Sequence, residues 1–243
     1  MKSKRLNKAI SETGYCSRRE ADKLIAENLV KVNGEIAGLG THVTGSDEIS
    51  VNGKLISKQV ANIYLAFHKP VGITCTTDTN IKGNIITYIN YPERIFPVGR
   101  LDKPSEGLIF MTNDGDIVNK ILRSKNNHEK EYVVTVNKKI NSQFLKSMRN
   151  GVPILNTTTK KCKVTKIDDF NFNIVLTQGL NRQIRRMCEY LGYKVVKLKR
   201  IRIMNIFLGD LKPGRYRSFT QAEIQEIYRL VEDSSKTLEA SVD

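Results

Sequence analysis

The chain of 243 residues has no tryptophan and only four cysteines, Cys16, Cys75, Cys162 and Cys188. None of the cysteines forms a C-x-x-C pair, which argues against a zinc site or a disulfide framework. No apolar run reaches the ~18 residues that span a bilayer, and the basic start is not followed by the apolar segment of a secretory signal. These features predict a reduced, cytoplasmic protein without a membrane partner.

Acidic residues are also scarce, because 25 Asp and Glu stand against 40 Lys and Arg, a formal net charge of +15. An excess of this size predicts a polyanionic partner, with nucleic acid as the leading candidate. The patterns G-x-x-x-x-G-K-[ST], G-x-G-x-x-G and HExxH are missing. Since the three histidines, His42, His68 and His128, are scattered, we expect neither a metal nor a cofactor.

The order of the patterns predicts an α+β protein with two domains. Residues 1–56 indicate a small module of two helices followed by short strands with Asn-Gly turns. Residues 57–62 are expected to form a linker, and the polar residues 233–243 a disordered tail. Residues 63–232 mix both patterns without regular βαβ alternation, which predicts a largely antiparallel mixed sheet with flanking helices. Strand patterns fall at 63–67, 108–112, 131–136, 163–167 and 172–177, and helical patterns at 117–122, 142–148, 182–191 and 221–231.

Basic residues cluster in the first module. Arg5, Arg18 and Arg19 lie near predicted helix N-termini, where the macrodipole disfavours cations unless an anion is close. Ser17 and Glu20 have the spacing of a capping box. A solvated face is the ordinary explanation of a charge run, but the clustering here favours phosphate binding. The segment also passes for the helix-turn-helix of a DNA-binding regulator, although this leaves the rest of the chain without a role.

Two further segments place polar residues where strands begin. Arg100 and Asp102 lie on a loop rich in glycine and proline just before an apolar strand, a favourable position for a site. Taken alone, they are better explained as a surface ion pair or a turn cap. Tyr132 opens another strand, either as a core aromatic with a hydrated hydroxyl or as a platform on which a base stacks.

A third segment joins a strand to a helix. Asn181 is a candidate cap, and Arg182, Arg185 and Arg186 follow at spacings that put them on one side of the helix. Three arginines in the first turns oppose the helix dipole, which predicts a bound anion or a buried carboxylate partner.

The motifs Gly99-Arg100-Leu101-Asp102, Lys130-Glu131-Tyr132 and Asn181-Arg182-Gln183-Ile184-Arg185-Arg186-Met187, in this order, resemble those of the pseudouridine synthases of the RsuA/RluB/RluE/RluF group. Lys69-Pro70-Val71-Gly72 is similar to that family's first motif. The front module resembles a ribosomal-protein S-four type RNA-binding domain. The stretch 181–193 with 202–205 looks most like the RluF branch, which acts on large-subunit ribosomal RNA.

This resemblance implies the isomerisation of a specific uridine to pseudouridine in 23S ribosomal RNA, without a cofactor. By similarity, Asp102 is the essential carboxylate, Tyr132 the tyrosine that stacks on the base, and Arg185 the arginine that pairs with the aspartate. Arg100 would fill the space of the flipped-out uridine, and Leu176 would form an apolar wall of the uracil pocket. Further RNA contacts are expected at Lys130, Arg182, Arg186, Arg5, Arg18 and Arg19.

Several alternatives accompany this interpretation. A non-catalytic RNA-binding or ribosome-assembly factor is expected to have lost one of the catalytic positions, yet all three are present. A stem-loop of transfer RNA is an alternative substrate, and attack at C1′ and a glycal route are both open for Asp102. Gln178 stands where many relatives have a glutamate. We expect a monomer that binds RNA and not DNA.

Overall fold

Residues 3–56, 60–122 and 127–232 are described by a computed structural model of the chain. They fall into two units, of which the first contains the residues up to Asn62 together with Tyr91–Arg94 and the second contains Ile63–Asn90 and the residues from Ile95 onward. The segment Tyr91–Arg94, placed in the second domain by the sequence analysis, therefore belongs to the first unit. Residues 57–59 of the predicted linker, and the whole predicted tail 233–243, lie outside the described residues.

The first unit is built from short elements around one core. Its helices are α1 (Leu6–Glu12) and α2 (Arg18–Ala26), and its strands are β1 (Lys4–Arg5), β2 (Val30–Val32), β3 (Glu35–Ile36), β4 (His42–Val43), β5 (Ile49–Val51) and β6 (Lys54–Leu55). The strands pair in the order β3-β2-β5-β6, and β1 pairs with β4. The helical spacing of Leu6, Ile10 and Ile25 buries all three against the strands. Ser17 Oγ accepts a hydrogen bond from the Glu20 N–H, so the predicted cap of α2 is confirmed.

The second unit is a large sheet with helices. Its strands are β7 (Tyr64–Lys69), β8 (Phe96–Val98), β9 (Glu106–Thr112), β10 (Lys130–Val136), β11 (Pro153–Ile154), β12 (Thr157–Thr158), β13 (Lys163–Lys166), β14 (Asn171–Leu176), β15 (Val195–Ile203), β16 (Ile206–Phe207) and β17 (Tyr216–Ser218). Its helices are α3 (Ile85–Ile89), α4 (Gly115–Leu122), α5 (Ser142–Asn150), α6 (Gln183–Tyr190) and α7 (Gln221–Leu230).

The order of the sheet is β13-β14-β10-β15-β9-β7-β17, with β8 paired to β9 and β16 to β15. Among the pairings of the described strands, only β15 with β9 is parallel. The predicted α+β class with a largely antiparallel sheet is thus confirmed. Strand β15, the longest in the described chain, was not predicted, and neither were α3, β8 and β17.

Two apolar cores lie along this sheet. One joins β10, β13 and β14 to helices α5 and α6, and Phe144 and Met187 are buried in it. The other joins β7 and β9 to α4 and α7, with Phe110 and Ile227 among its members. No helix of the described residues is long and apolar enough to cross a bilayer.

Candidate functional site

A cavity of about 520 Å³ opens in the second unit, lined by side chains from both of its apolar cores. Its polar wall comes from the loop between β8 and β9, the start of α6, and strands β10 and β15. The volume falls in the range of ordinary ligand pockets. The structure brings together in this cavity seven of the predicted site residues, namely Arg100, Asp102, Lys130, Tyr132, Leu176, Arg182 and Arg185.

Asp102 lies between two guanidinium groups. Its Oδ2 is 3.7 Å from Arg182 Nη1 and 3.7 Å from Arg185 Nε, and one-third of its side chain is exposed. The Asp102 carbonyl accepts a hydrogen bond from the Ser105 N–H, which closes the turn before β9. The turn therefore presents one partly exposed carboxylate to the cavity, with two cations beside it.

Arg185 fixes the position of this carboxylate by binding the loop that carries it. Its buried guanidinium donates from Nη2 to Ser105 Oγ (2.9 Å) and to the Pro104 carbonyl (3.2 Å), and from Nη1 to the Val195 carbonyl (3.4 Å). Burial lowers the pKa of Arg185 and the Asp102 charge opposes this, but a guanidinium stays protonated. One side chain thus joins α6, β15 and the loop of Asp102.

The start of α6 differs from the prediction. The helix begins at Gln183, and the residue in the cap position is Arg182, in the left-handed region at φ 51°. Asn181 is not the cap, because its carbonyl and Oδ1 accept hydrogen bonds from the Arg186 guanidinium. The expectation that the three arginines share one side is therefore wrong, since Arg182 and Arg185 reach Asp102 while Arg186 folds back on Asn181.

Strand β10 supplies the cavity with Lys130 and Tyr132. Tyr132 is partly buried, and the guanidinium carbon of Arg200 lies 6.0 Å from its ring centroid. Lys130 is buried, and its Nζ reaches the His128 carbonyl at 3.4 Å. Burial, and then the charge of Arg200, lower the pKa of Lys130 to about 8. Leu176, paired with Lys130 across the strands, is buried and apolar, as a wall of the cavity requires.

Sequence reasoning missed two buried cations here. Lys69, at the end of β7, is fully buried and donates from Nζ to the Pro70 and Ser105 carbonyls, both at 2.8 Å. Burial lowers the pKa of Lys69, while Cys75 and Asp102 oppose this shift. Arg200 lines the cavity from β15. For Lys69 the sequence predicts no role beyond its place in the Lys69-Pro70-Val71-Gly72 motif, and for the segment around Arg200 it predicts no strand.

The remaining predicted residues lie elsewhere. Arg5 occupies the cap position of α1, Arg18 and Arg19 open α2, and all three are exposed on the first unit. Gln178 Oε1 accepts a hydrogen bond from the Lys160 N–H (2.6 Å). Within the described ranges, no group of three or more His, Cys, Asp or Glu side chains is arranged to hold a metal ion.

Comparison with known proteins gives consistent matches along the chain. Residues 63–190 match the family described as RNA pseudouridylate synthase, and residues 4–49 match the S4 domain. The dual-specificity RNA pseudouridine synthase RluF of Salmonella typhi is 54% identical over 96% of this chain and 81% of the relative. The ribosomal large subunit pseudouridine synthase B of Bacillus subtilis is 35% identical over 94% of this chain and 97% of the relative. A crystal structure of a pseudouridylate synthase superposes with a TM-score of 0.68 at 32% identity, over 92% of this chain and 99% of the other.

Proposed function

Because the chain belongs to the RNA pseudouridine synthase family, we propose that it isomerises a specific uridine of 23S ribosomal RNA, with Asp102 as the reacting carboxylate. The observation that supports this most is the position of Asp102, in a ligand-sized cavity between Arg182 and Arg185. Tyr132 lines the same cavity.

The reaction explains why a single carboxylate suffices. Isomerisation breaks the C1′–N1 bond, keeps the uracil in the cavity, and joins its C5 to C1′, while the C5 hydrogen leaves as a proton. Hydrolysis of a glycosidic bond instead uses two carboxylates and a water. Asp102 is the only acidic side chain among the described residues that line the cavity. Direct attack at C1′ and elimination to a glycal both place this carboxylate next to the same ribose.

The neighbouring side chains have separate roles in the proposal. Arg185 holds the Asp102 carboxylate in place by its charge, Tyr132 stacks on the uracil, and Leu176 shields the uracil from water. Arg100, exposed at the cavity mouth, takes the place of the flipped-out nucleotide in the RNA stack. No cofactor takes part in these steps.

The proposed RNA substrate is inferred from the names of the relatives and from the basic residues of the first unit. The Bacillus subtilis relative is named for the large ribosomal subunit, and the Salmonella typhi relative for dual specificity. We infer 23S ribosomal RNA as the main substrate and a transfer RNA stem-loop as the second. Arg5, Arg18 and Arg19 bind the phosphates of this RNA, and a monomer is sufficient for the task.

The experiment that tests this function uses the purified chain and transcripts of 23S and transfer RNA from the same organism. Pseudouridines are mapped in both after incubation. We expect a modified uridine at a defined position of 23S RNA, and a modified transfer RNA if the second substrate is correct. RNA that is bound but unmodified would favour the non-catalytic alternative, an RNA-binding or assembly factor.

The basic start of α2 gives a prediction about salt dependence. Replacing both Arg18 and Arg19 with glutamine should weaken RNA binding and leave the rate at saturating RNA unchanged, because both residues are far in sequence from the catalytic motifs. Each lost phosphate contact should reduce the slope of log K against log salt by roughly 0.7–0.9. Titrations from low to high salt measure this slope. Arg229→Gln, which removes an exposed charge already paired with Glu226, is the matched control, and an equal slope in both variants would contradict the assignment.

The buried position of Lys130 gives a prediction about pH. Since burial lowers its pKa to about 8, Lys130 loses its charge as the pH rises through that value, and kcat/KM should fall with it. The folded state is not at risk, because neutralising a buried cation stabilises it as the pH rises from about 8 to the ordinary lysine value of 10.5. In Lys130→Arg, which stays charged, the fall near pH 8 should disappear. The same pH profile in both proteins would show that Lys130 is not the titrating group.

A further inference from the structure

Arg200 and Lys130 are cations of the cavity that have no acidic partner. Their exposed fractions are 3% and 9%, and no carboxylate of the described residues lies within ion-pair distance of either. Arg200 Nε donates to the Leu108 carbonyl at 2.6 Å. Its Nη2, by contrast, is buried and has no hydrogen-bond partner in the described structure. A buried donor without an acceptor is costly and requires an explanation.

The cost is increased by the closeness of the two charges. Arg200 lowers the pKa of Lys130 by repulsion, in addition to the effect of burial. Two like charges in a buried site oppose folding, whereas a negative charge between them would satisfy both. The positive charge at this point of the cavity therefore favours the binding of an anion.

The position of Arg200 is fixed by the sheet. It lies directly opposite Tyr132 in the pairing of β15 with β10, and its guanidinium carbon is 6.0 Å from the Tyr132 ring centroid. On its other side, β9 approaches so closely that a Cβ on Gly107 would lie 2.3 Å from the Arg200 carbonyl oxygen. A rigid central strand thus holds the unpartnered donor beside the ring on which the uracil is proposed to stack.

The depth of Arg200 distinguishes between the two negative groups that a nucleotide can offer. Phosphates stay on the RNA backbone, where Arg100 and Arg182 are exposed at the cavity mouth. A guanidinium that is 3% exposed is reached only by the part of the nucleotide that enters furthest, which is the base. The base is neutral in the substrate, but it becomes an anion when the C1′–N1 bond breaks and its electron pair moves onto the ring.

We propose that Arg200, with Lys130 beside it, stabilises the negative charge that the uracil acquires on cleavage of the C1′–N1 bond, through Nη2 and a ring carbonyl oxygen. This inference rests on the proposed function. The electron pair of the broken bond is delocalised over N1, O2 and O4. C5 then bonds to C1′, the C5 hydrogen leaves as a proton, and N1 takes up a proton, so the reaction needs no oxidant or reductant. Both routes for Asp102 pass through this charge. Donors aimed at a developing charge stabilise the transition state more than the ground state.

The experiment compares two leaving groups, uracil and 5-fluorouracil. An RNA with uridine at the mapped target and the same RNA with 5-fluorouridine are each mixed with excess enzyme, and loss of the N-glycosidic nucleoside is followed in nuclease digests. Fluorine withdraws electrons, so the 5-fluorouracil anion is less basic than the uracil anion and needs less stabilisation. Arg200→Gln should slow cleavage of uridine about 10²–10³-fold. The loss with 5-fluorouridine should be smaller by a factor of about ten or more, which a merely structural defect would not produce.

Two further variants complete the test. Lys199→Gln removes one positive charge from the other face of the same strand and should leave both rates unchanged. Arg200→Met, which also removes the charge but keeps an unbranched side chain, replaces Arg200→Gln in the comparison if the latter does not fold. Equal losses on both RNAs, or no loss on either, would overturn the role of Arg200 while the wild type still makes pseudouridine. A wild-type protein that makes no pseudouridine would overturn the proposed function itself.

Discussion

Asp102→Asn should reduce the single-turnover rate of pseudouridine formation by at least ~10⁴-fold, the order of loss that follows removal of a reacting group. Asparagine has nearly the same shape but can neither attack C1′ nor accept a proton as a carboxylate does. Because the change removes a negative charge from a site for RNA, affinity should stay the same or rise slightly. The rate is measured by release of tritium from C5 of labelled uridine, and the affinity by filter binding at fixed salt.

The matched control for this variant is Asp168→Asn. Asp168 caps an exposed turn by accepting from the N–H groups of Phe170 and Asn171, and it does not line the cavity. The Asp168→Asn variant should retain full activity. Undiminished tritium release by Asp102→Asn would show that another group performs the chemistry, and equal losses of rate and affinity would point to a binding defect instead.

Arg185→Lys should reduce the rate by about 100-fold, the penalty of a misplacement near 1 Å. Lysine keeps the charge but loses the planar fork that binds Ser105, Pro104 and Val195 at once. The loop with Asp102 then loses its attachment to α6, and the buried acceptors lose their donors. We expect the free energy of unfolding to fall by about 1–3 kcal/mol as well.

Separating the two effects requires a stability measurement beside the kinetic one. Urea denaturation gives the free energy of unfolding, and rates are taken well below the transition. Arg149→Lys is the control, because Arg149 also donates to a main-chain carbonyl, that of Val164, but does not line the cavity. If Arg185→Lys were destabilised as expected and yet fully active, the guanidinium would be a structural support only.

The sequence predicted the regular elements where the patterns were local. Strand β10 has a run of β-branched residues of which Val134 and Val136 are buried, and α2 has a serine cap with apolar residues at helical spacing, so both could be placed within one or two residues. The grouping of Asp102, Tyr132 and Arg185 came from motifs that resemble a known family. Composition and periodicity alone favoured an ordinary structural role for Asp102 and Tyr132. For Arg185 they predicted a bound anion or a carboxylate partner, without identifying it.

Strand β15 shows where local reasoning failed. The segment Val195–Ile203 mixes apolar and basic residues without a regular alternation, so its pattern predicted no strand. In the structure it is a central strand between β10 and β9, and this position buries Arg200. Burial of a cation by strands distant in sequence leaves no local signal, so the role of Arg200 could not be predicted.

The prediction for the start of α6 was wrong for a related reason. Asn181 is a favoured cap residue, yet Arg182 takes that position in a left-handed conformation that β-carbon sterics disfavour. The ion pair of Arg182 with Asp102 connects two segments 80 residues apart in the chain. Strained backbone often accompanies functional sites, and here tertiary contacts override the local preference.

In the proposed reaction, the cavity around Asp102 isomerises a uridine without releasing its base. The direct measurement follows tritium release from C5 together with the mass of a short target RNA and the amount of free uracil. We expect release of one tritium per RNA, a mass otherwise unchanged, and no free uracil. Free uracil with an abasic RNA, or no tritium release while the RNA is bound, would contradict it.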